Sequence, residues 1–360
     1  MCPSGACERR PPNPLEETPM SSKPRDHDGH FGEPGGPGNP SGLPPWSVPG
    51  APAGTVPAGA AGGLSGVAHT AAGHAPVVPS LPPAERARLD AVFRDTLARG
   101  IHGLCFSPYL EGQQPGSQIG EAQIRERLAV VKPHARWVRS FSCTDGHEQT
   151  PRIAHEMGLK TLVGAWLGTD REINAREMAG AIAVARAGHA DIVAVGNEVL
   201  LREDLSEDEL IACLREVKAA LPGVPVGYVD AYFLFEKHPR IAAECDVVMT
   251  NCYPFWEGCP REQALPYMQT MLARTREAAP GKRILISETG WPDQGSAFHG
   301  AVPGREAAMQ YFVDTAAWAE REGIEWFHFA AFDEAWKVGA EGDVGAFWGL
   351  WDKDARPKFA

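Results

Sequence analysis

Residues 191–199 have the sequence DIVAVGNEV, in which four apolar residues lead through a glycine to the polar pair Asn197 and Glu198. A short, continuous apolar run is typical of a strand buried on both faces, and such strands belong to parallel sheets. Seven further runs of this kind are spread along the chain, at 101–109, 136–143, 159–168, 224–232, 245–255, 282–292 and 324–334. The pattern therefore predicts eight strands.

Amphipathic stretches that are typical of helices fill most of the gaps between these runs. Residues 84–99 carry apolar side chains at helical spacing before Gly100, and 305–322 do the same before Gly323. Ser206 and Glu209 form a capping box that predicts a helix start. Eight strands alternating with helices favour a (β/α)8 TIM barrel over 84–360. A doubly wound open sheet is the alternative, but no G-x-G-x-x-G follows the first run.

The first 83 residues differ from the rest of the chain in composition. They hold 14 Gly and 18 Pro without a triplet period, which predicts a disordered low-complexity tail over 1–83. The remaining residues include 30 basic and 40 acidic ones, and this acidic balance argues against a nucleic-acid partner. We expect the protein to be a monomer. We also expect no membrane span, because every long apolar stretch is interrupted.

The start of the chain and its cysteines bear on its cellular compartment. No apolar segment follows the basic residues near the start, so the sequence as given predicts a cytoplasmic protein without a signal peptide. Eight cysteines in 360 residues do not indicate a disulfide scaffold, and we expect buried thiols. A loop disulfide between Cys252 and Cys259 is the alternative. No cysteine–histidine spacing predicts a zinc site.

In a TIM barrel the active site lies at the carboxyl ends of the strands, so the residues that end each run are the candidates. Two glutamates end apolar runs, Glu198 on the fourth and Glu288 on the seventh. A carboxylate pair of this kind suits a retaining glycosidase, and the apolar faces of sugar rings stack on aromatic side chains. The other candidates at strand ends are polar or aromatic: Tyr109, Arg139, Trp166, Asn197, Asn251, Tyr253, Trp256, Trp291, Glu334 and Lys337.

These segments resemble glycoside hydrolase family 17, the β-1,3-glucanase family. VAVGNEVLL (193–201) and ILISETGWP (284–292) resemble its acid/base and nucleophile segments, and FDEAWK (332–337) with the later Glu341 resembles its strand-eight segment. The likeness runs from about residue 101 to 355, and SPYLEGQQP (107–115) and NCYPFWEGC (251–259) resemble its bacterial branch. Export signals of secreted members are not visible here; the resemblance implies a periplasmic or secreted location if the true start differs.

The resemblance implies a retaining (β/α)8 enzyme that acts on β-1,3-glucan without a metal or organic cofactor. Glu198 would be the proton donor and Glu288 the nucleophile. The sugar site next to the scissile bond would be lined by Tyr109, Asn197, Tyr253, Trp291, Glu334, Lys337 and Glu341. Glu334 and Glu341 could instead only pair with Lys337 or Arg139. Three alternatives remain for function: a β-1,3-glucanosyltransferase, a non-catalytic glucan-binding barrel, and a hydrolase with the same pair of carboxylates that acts on another β-glycan.

Overall fold

The apolar runs form the strands of one closed parallel barrel. A computed structural model describes residues 80–338 and 341–359, and in these ranges the strands pair in the order β1 to β8, with β8 returning to β1. The strands are β1 (Ile101–Cys105), β2 (Ala135–Ser140), β3 (Lys160–Ala165), β4 (Ile192–Asn197), β5 (Val226–Ala231), β6 (Val247–Asn251), β7 (Arg283–Thr289) and β8 (Trp326–His328). The fold is therefore the predicted TIM barrel.

Helices surround the barrel and connect its strands. They are α1 (Pro83–Arg99), α2 (Glu121–Val131), α3 (Thr150–Glu156), α4 (Arg171–Arg186), α5 (Glu207–Ala220), α6 (Tyr232–Lys237), α7 (Pro239–Glu244), α8 (Arg261–Ala278) and α9 (Arg305–Glu322). The Ser206–Glu209 capping box opens α5 as predicted, with both reciprocal hydrogen bonds present. No helix within the described ranges is long and apolar enough to cross a bilayer.

Helix α1 precedes the first strand and packs beside the last connecting helix. The ring of Phe93 lies 4.9 Å from that of Phe312 on α9 and 5.2 Å from that of Phe359, near the end of the described chain. In sequence α1 comes before β1, yet in space it fills the position of a helix following β8. The seam of the barrel is thus covered by two segments that are distant in sequence.

Part of the segment that the sequence assigned to the tail packs on the barrel. Residues 1–79 lie outside the described residues, and so does that part of the disorder prediction. Leu81, which falls inside the predicted tail, donates its backbone N–H to Glu306 at 2.8 Å and packs on the core. The side chain of Arg86 also contacts Glu306, at 2.6 Å. The ordered unit therefore begins before residue 84, because the carboxylate of Glu306 on α9 holds the chain there.

The cysteines in the described residues are thiols. Cys252 and Cys259 are both buried, and they form no disulfide with each other. The Cys252 thiol lies 3.8 Å from the Thr250 hydroxyl, and the Cys259 thiol donates to its neighbour's carbonyl at Pro260. The structure thus agrees with buried thiols and not with the alternative of a loop disulfide.

Candidate active site

Two irregularities in strand pairing shape the carboxyl end of the barrel. The register between β4 and β5 shifts between Ala194 and Asn197, and that between β6 and β7 shifts at Asn251, which pairs with Glu288. Bulges of this kind re-aim side chains and recur next to active sites. Glu198 follows the first bulge with a φ of 52°, a conformation that few non-glycine residues adopt. Both glutamates are therefore placed by departures from regular strand geometry.

Arg139 connects the β4 and β7 parts of the site. Its guanidinium pairs with Glu288 Oε1, donates to Asn197 Oδ1 at 2.7 Å, and donates to the Ser287 carbonyl at 3.2 Å. The residue is 2% exposed near the end of β2, and its partners on β4 and β7 are also buried. A buried guanidinium with two charged or polar partners is a rigid fork that fixes both of them.

Glu288 is held at both of its carboxylate oxygens. Oε1 contacts Arg139, and Oε2 accepts a hydrogen bond of 2.6 Å from the Tyr253 hydroxyl. Glu288 is buried, with only 5% of the residue exposed. Burial and the nearby carboxylate raise the pKa of Tyr253 well above its usual value, so this phenol remains a hydrogen-bond donor. Glu288 is thus an oriented carboxylate with two fixed donors.

Glu198 has a different environment, because among the described residues no cation forms an ion pair with it. Asn251 Nδ2 donates to Glu198 Oε1 at 2.8 Å, while Asn251 Oδ1 accepts from Ser287 Oγ at 2.8 Å. Burial, followed by the charges of Glu288 and Asp230, raises the pKa of Glu198 to about 8. At neutral pH this carboxyl group therefore keeps its proton, which is the state that a general acid needs.

A lysine between two carboxylates lies in the segment that follows β8. Lys337 Nζ lies 3.1 Å from Glu334 and 3.7 Å from Glu341, and 4.2 Å from the centroid of the Phe329 ring. Burial, only partly opposed by Lys337, raises the pKa of Glu341 to about 7. Glu334, Lys337 and Glu341, which the sequence predicted to belong to the site, do lie together. Their mutual contacts also fit the alternative in which the glutamates serve as partners of Lys337.

The predicted aromatic residues take three different positions. Tyr109 contacts the Trp336 ring at 6.0 Å, while Trp166 stacks under the guanidinium of Arg202 at 4.8 Å. Trp256 packs against other aromatic rings, with its centroid 5.7 Å from that of Trp348. Tyr109, Trp166 and Trp256 are all partly exposed and can line the mouth of the barrel.

Trp291 does not line the mouth, although the resemblance implied that it would. The residue is 2% exposed, its indole N–H donates to the Val302 carbonyl at 3.0 Å, and its ring packs on Phe255 and Tyr311. The chain turns after Thr289 so that the indole enters the core behind the β6 and β7 loops. Trp291 therefore supports the wall of the site and has no face for a sugar.

Several residues at the site had no strong signal in the sequence. Glu177 on α4 accepts hydrogen bonds from Ser142, from Thr144 and from the backbone of Cys143 and Trp166, which fixes the loops after β2 and β3. Arg202 donates to the carbonyls of Asn197 and Leu167. Arg202 lies four positions after Glu198, and this helix-like spacing is the one clue in the sequence.

The arrangement combines a protonated buried carboxyl group with a second carboxylate oriented by an arginine and a tyrosine. Pairs of carboxyl groups with contrasting environments are the mark of separate acid and nucleophile roles. Asn197, next to Glu198, is held by Arg139 through its side-chain oxygen. Within the described residues no cluster of three potential metal ligands occurs.

Comparison with known proteins places the chain in a family of glycoside hydrolases. The family model of the BtgE/BtgC glycoside hydrolase domain matches residues 103–349. A glucan 1,3-beta-glucosidase of Arthroderma benhamiae is 28% identical over 260 residues, which are 66% of this chain and 84% of that protein. The probable beta-glucosidase btgE of Aspergillus fumigatus is 25% identical over 70% of this chain and 45% of that protein.

A solved structure shares the fold over the same part of the chain. The glycoside hydrolase family 17 beta-1,3-glucanosyltransferase of Rhizomucor miehei superimposes with a TM-score of 0.65 at 25% identity, covering 72% of this chain and 96% of that one. The resemblance to glycoside hydrolase family 17 is confirmed. The expected bacterial branch is not supported, because the relatives that carry the match are fungal. The chain belongs to the family of BtgE/BtgC glycoside hydrolase domains.

Proposed function

We propose that this barrel cleaves β-1,3-glucan by double displacement, with Glu198 as acid/base and Glu288 as nucleophile. The observation that carries the proposal is the contrast between the two carboxyl groups: Glu198 is buried without an ion-pair partner in the described residues, whereas Arg139 and Tyr253 hold Glu288. The named relatives include glucan 1,3-beta-glucosidases, and a mutant of the Rhizomucor miehei enzyme was solved with laminaritriose. These names support β-1,3-glucan as the substrate.

In the first step a Glu288 oxygen attacks the anomeric carbon while Glu198 gives its proton to the leaving glycosidic oxygen. The bond from the anomeric carbon to that oxygen breaks, and an ester-type bond to Glu288 forms. In the second step Glu198, now ionised, removes a proton from water or from a sugar hydroxyl as that oxygen displaces Glu288. The first acceptor gives hydrolysis, and the second gives glucanosyl transfer.

Transfer is the second candidate function, and it is favoured by a specific observation. The superimposed enzyme that covers 72% of this chain is named a glucanosyltransferase. Both outcomes use the same covalent intermediate, so the two catalytic glutamates serve either one. A non-catalytic glucan-binding barrel is disfavoured, because it would have no use for a buried carboxyl that keeps its proton.

Azide rescue tests the assignment of roles. In Glu198→Ala an aryl β-laminari-oligoside with a dinitrophenolate leaving group should still form the glycosyl-enzyme, because this leaving group needs little protonation. Azide needs no general base, so it should restore turnover and give the β-glycosyl azide. In Glu288→Ala azide can occupy only the place of the nucleophile and should give the α-azide. Glu216→Ala, an exposed position on α5, is the matched control and should behave as wild type.

The configuration of each azide is read by NMR spectroscopy. An α-azide from the Glu198 variant would show that the roles are exchanged, and no rescue in either variant would refute the double displacement. Product analysis by mass spectrometry then separates the two functions. Laminari-oligosaccharides become shorter by hydrolysis alone, whereas transfer also yields products longer than the substrate.

A further inference from the structure

A third carboxyl group lies behind Glu198, inside the barrel wall. Asp230 on β5 is 0% exposed, in a strand that is otherwise apolar except for Tyr228. Its Oδ2 accepts from the Tyr228 hydroxyl and its Oδ1 from the backbone N–H of Ala231 at 2.7 Å. Among the described residues no cation forms an ion pair with it. Burial of a carboxyl group costs several kcal/mol, so its presence is not explained by stability.

The hydrogen bonds of Asp230 lead to the backbone that carries Glu198. The Tyr228 hydroxyl, which donates to Asp230, accepts the backbone N–H of Leu200 at 2.9 Å. The backbone N–H of Glu198 itself donates to the Val229 carbonyl at 2.8 Å. The turn that places Glu198 at a φ of 52° is thus fastened to β5 at two points, and one of them depends on Tyr228.

Four groups on different elements affect the ionisation of Glu198. Glu288 faces it from β7 and Asp230 from β5, and both disfavour its ionised form. Arg202, in the turn after β4, favours that form, as does the neutral amide of Asn251 on β6. Asp230 differs from Glu288 in one respect: it is sealed behind the site and does not face the mouth, so it can act on Glu198 without touching substrate.

We propose that Asp230 and Tyr228 form a positioning pair for Glu198: Tyr228 fixes the turn that carries Glu198, and Asp230 places a buried carboxyl group behind it. The proposal rests on the acid/base role given to Glu198 above. It assigns two separable effects to two neighbouring residues. Removing the charge should alter the pH dependence of the reaction, whereas removing the hydroxyl should alter its rate.

The test compares Asp230→Asn with Tyr228→Phe by pH profiles of kcat/KM on laminari-oligosaccharides. The basic limb reports loss of the proton from the free enzyme's acid. Without the negative charge of Asp230, Glu198 ionises more easily, so in Asp230→Asn this limb should move to lower pH by roughly one unit. Burial raises the pKa of Asp230 to about 6, and the hydrogen bond from Tyr228 favours its ionised form, so Asp230 is ionised over the basic limb. Tyr228→Phe retains this carboxyl group, so its limb should move less than that of Asp230→Asn, while kcat falls and KM changes little.

A structural role alone gives a different result. If Asp230→Asn lowered kcat/KM equally at every pH, the electrostatic half of the proposal would be wrong, and a wild-type kcat in Tyr228→Phe would refute the positioning half. Asp230→Ser also removes the charge and replaces Asp230→Asn if that variant does not fold. Glu198→Gln is measured in parallel. If Glu198→Gln kept wild-type activity, the acid/base assignment itself would fail. If instead Glu198→Gln lost the basic limb while the limb of Asp230→Asn did not move, the assignment would stand and the electrostatic half of the proposal would be refuted.

Discussion

Arg139 is the residue on which the two sides of the site depend, because one guanidinium binds both Glu288 and Asn197. It also lies over the Phe141 ring, with 4.4 Å between the guanidinium carbon and the ring centroid. A lysine in this position would keep the charge but not the planar fork, so it could satisfy one of the two partners at most. Charge and geometry can therefore be separated at this residue.

We expect Arg139→Lys to lower kcat/KM by roughly 30- to 1000-fold, or about 2–4 kcal/mol, because one buried polar partner is left unsatisfied. The measurement is steady-state kinetics on laminari-oligosaccharides, with circular dichroism to verify folding. Arg136→Lys is the matched control, since Arg136 is exposed on the same strand. A loss of similar size in both variants would show that β2 is merely destabilised.

Single residues were also the scale at which the sequence was least informative. Glu198 and Glu288 could be predicted, because a carboxylate after an apolar run is costly unless it is used. Asp230 occupies the same kind of run but gave no such signal, since it sits inside the strand and its partner is another side chain of β5. The burial of Trp291 depends on how the loop after β7 turns, and the local sequence does not encode that direction.

At the scale of elements, the bulge at the end of β4 is what brings Asn197 and Glu198 to the mouth. Gly196 makes the bulge possible with a φ of 87°. A Cβ at this position would lie 2.7 Å from Val199 Cγ2 and 3.4 Å from the Tyr228 ring. The apolar runs and caps of the sequence predicted where strands and helices begin. They could not predict the register shifts, because a bulge is a relation between two strands.

We expect Gly196→Ala to lower both the free energy of unfolding and kcat, since strain in the left-handed region adds to a contact with Val199 that displaces Glu198. Gly188→Ala is the matched control: its φ is 81°, and a Cβ there meets nothing within 4 Å. Strain alone costs about 1 kcal/mol, so both variants should lose stability in urea denaturation, and only Gly196→Ala should lose activity. Equal activities would show that the bulge does not position the site.

At the scale of the whole molecule, the residues near 358 tie the last loops of the barrel together. Lys358 Nζ lies 2.6 Å from Asp293 and 2.7 Å from Asp333, and all three side chains are largely buried. Asp333 immediately precedes Glu334 of the site. Burial, partly opposed by Lys358, raises the pKa of Asp333 to about 6. Removing the lysine would leave two carboxylates without their cation.

We expect Lys358→Met to destabilise the protein at pH 7.5 by about 3 kcal/mol, the usual cost of breaking a buried pair on one side. The folded-state pKa of Asp333 is raised, so as the pH falls this carboxylate is protonated in the folded protein before it is protonated in the unfolded chain. A protonated Asp333 no longer needs a cation beside it, and the loss of stability should therefore be smaller at pH 5. Urea denaturation at both pH values measures this. Lys353→Met is the control: this half-exposed lysine forms surface ion pairs with Glu111 and Asp354, which contribute little to stability, so the loss should be small. A pH-independent loss in Lys358→Met would contradict the prediction.

The contact of Phe93 with Phe359 gives the barrel an order of assembly. Helix α1 is made before the strands of the barrel, but one of the two rings on Phe93 belongs to the end of the described chain. During synthesis this part of the α1 surface stays uncovered until some 260 further residues have been added. A nascent chain halted before residue 350 lacks Phe359 and should therefore leave part of the Phe93 face open to chaperones.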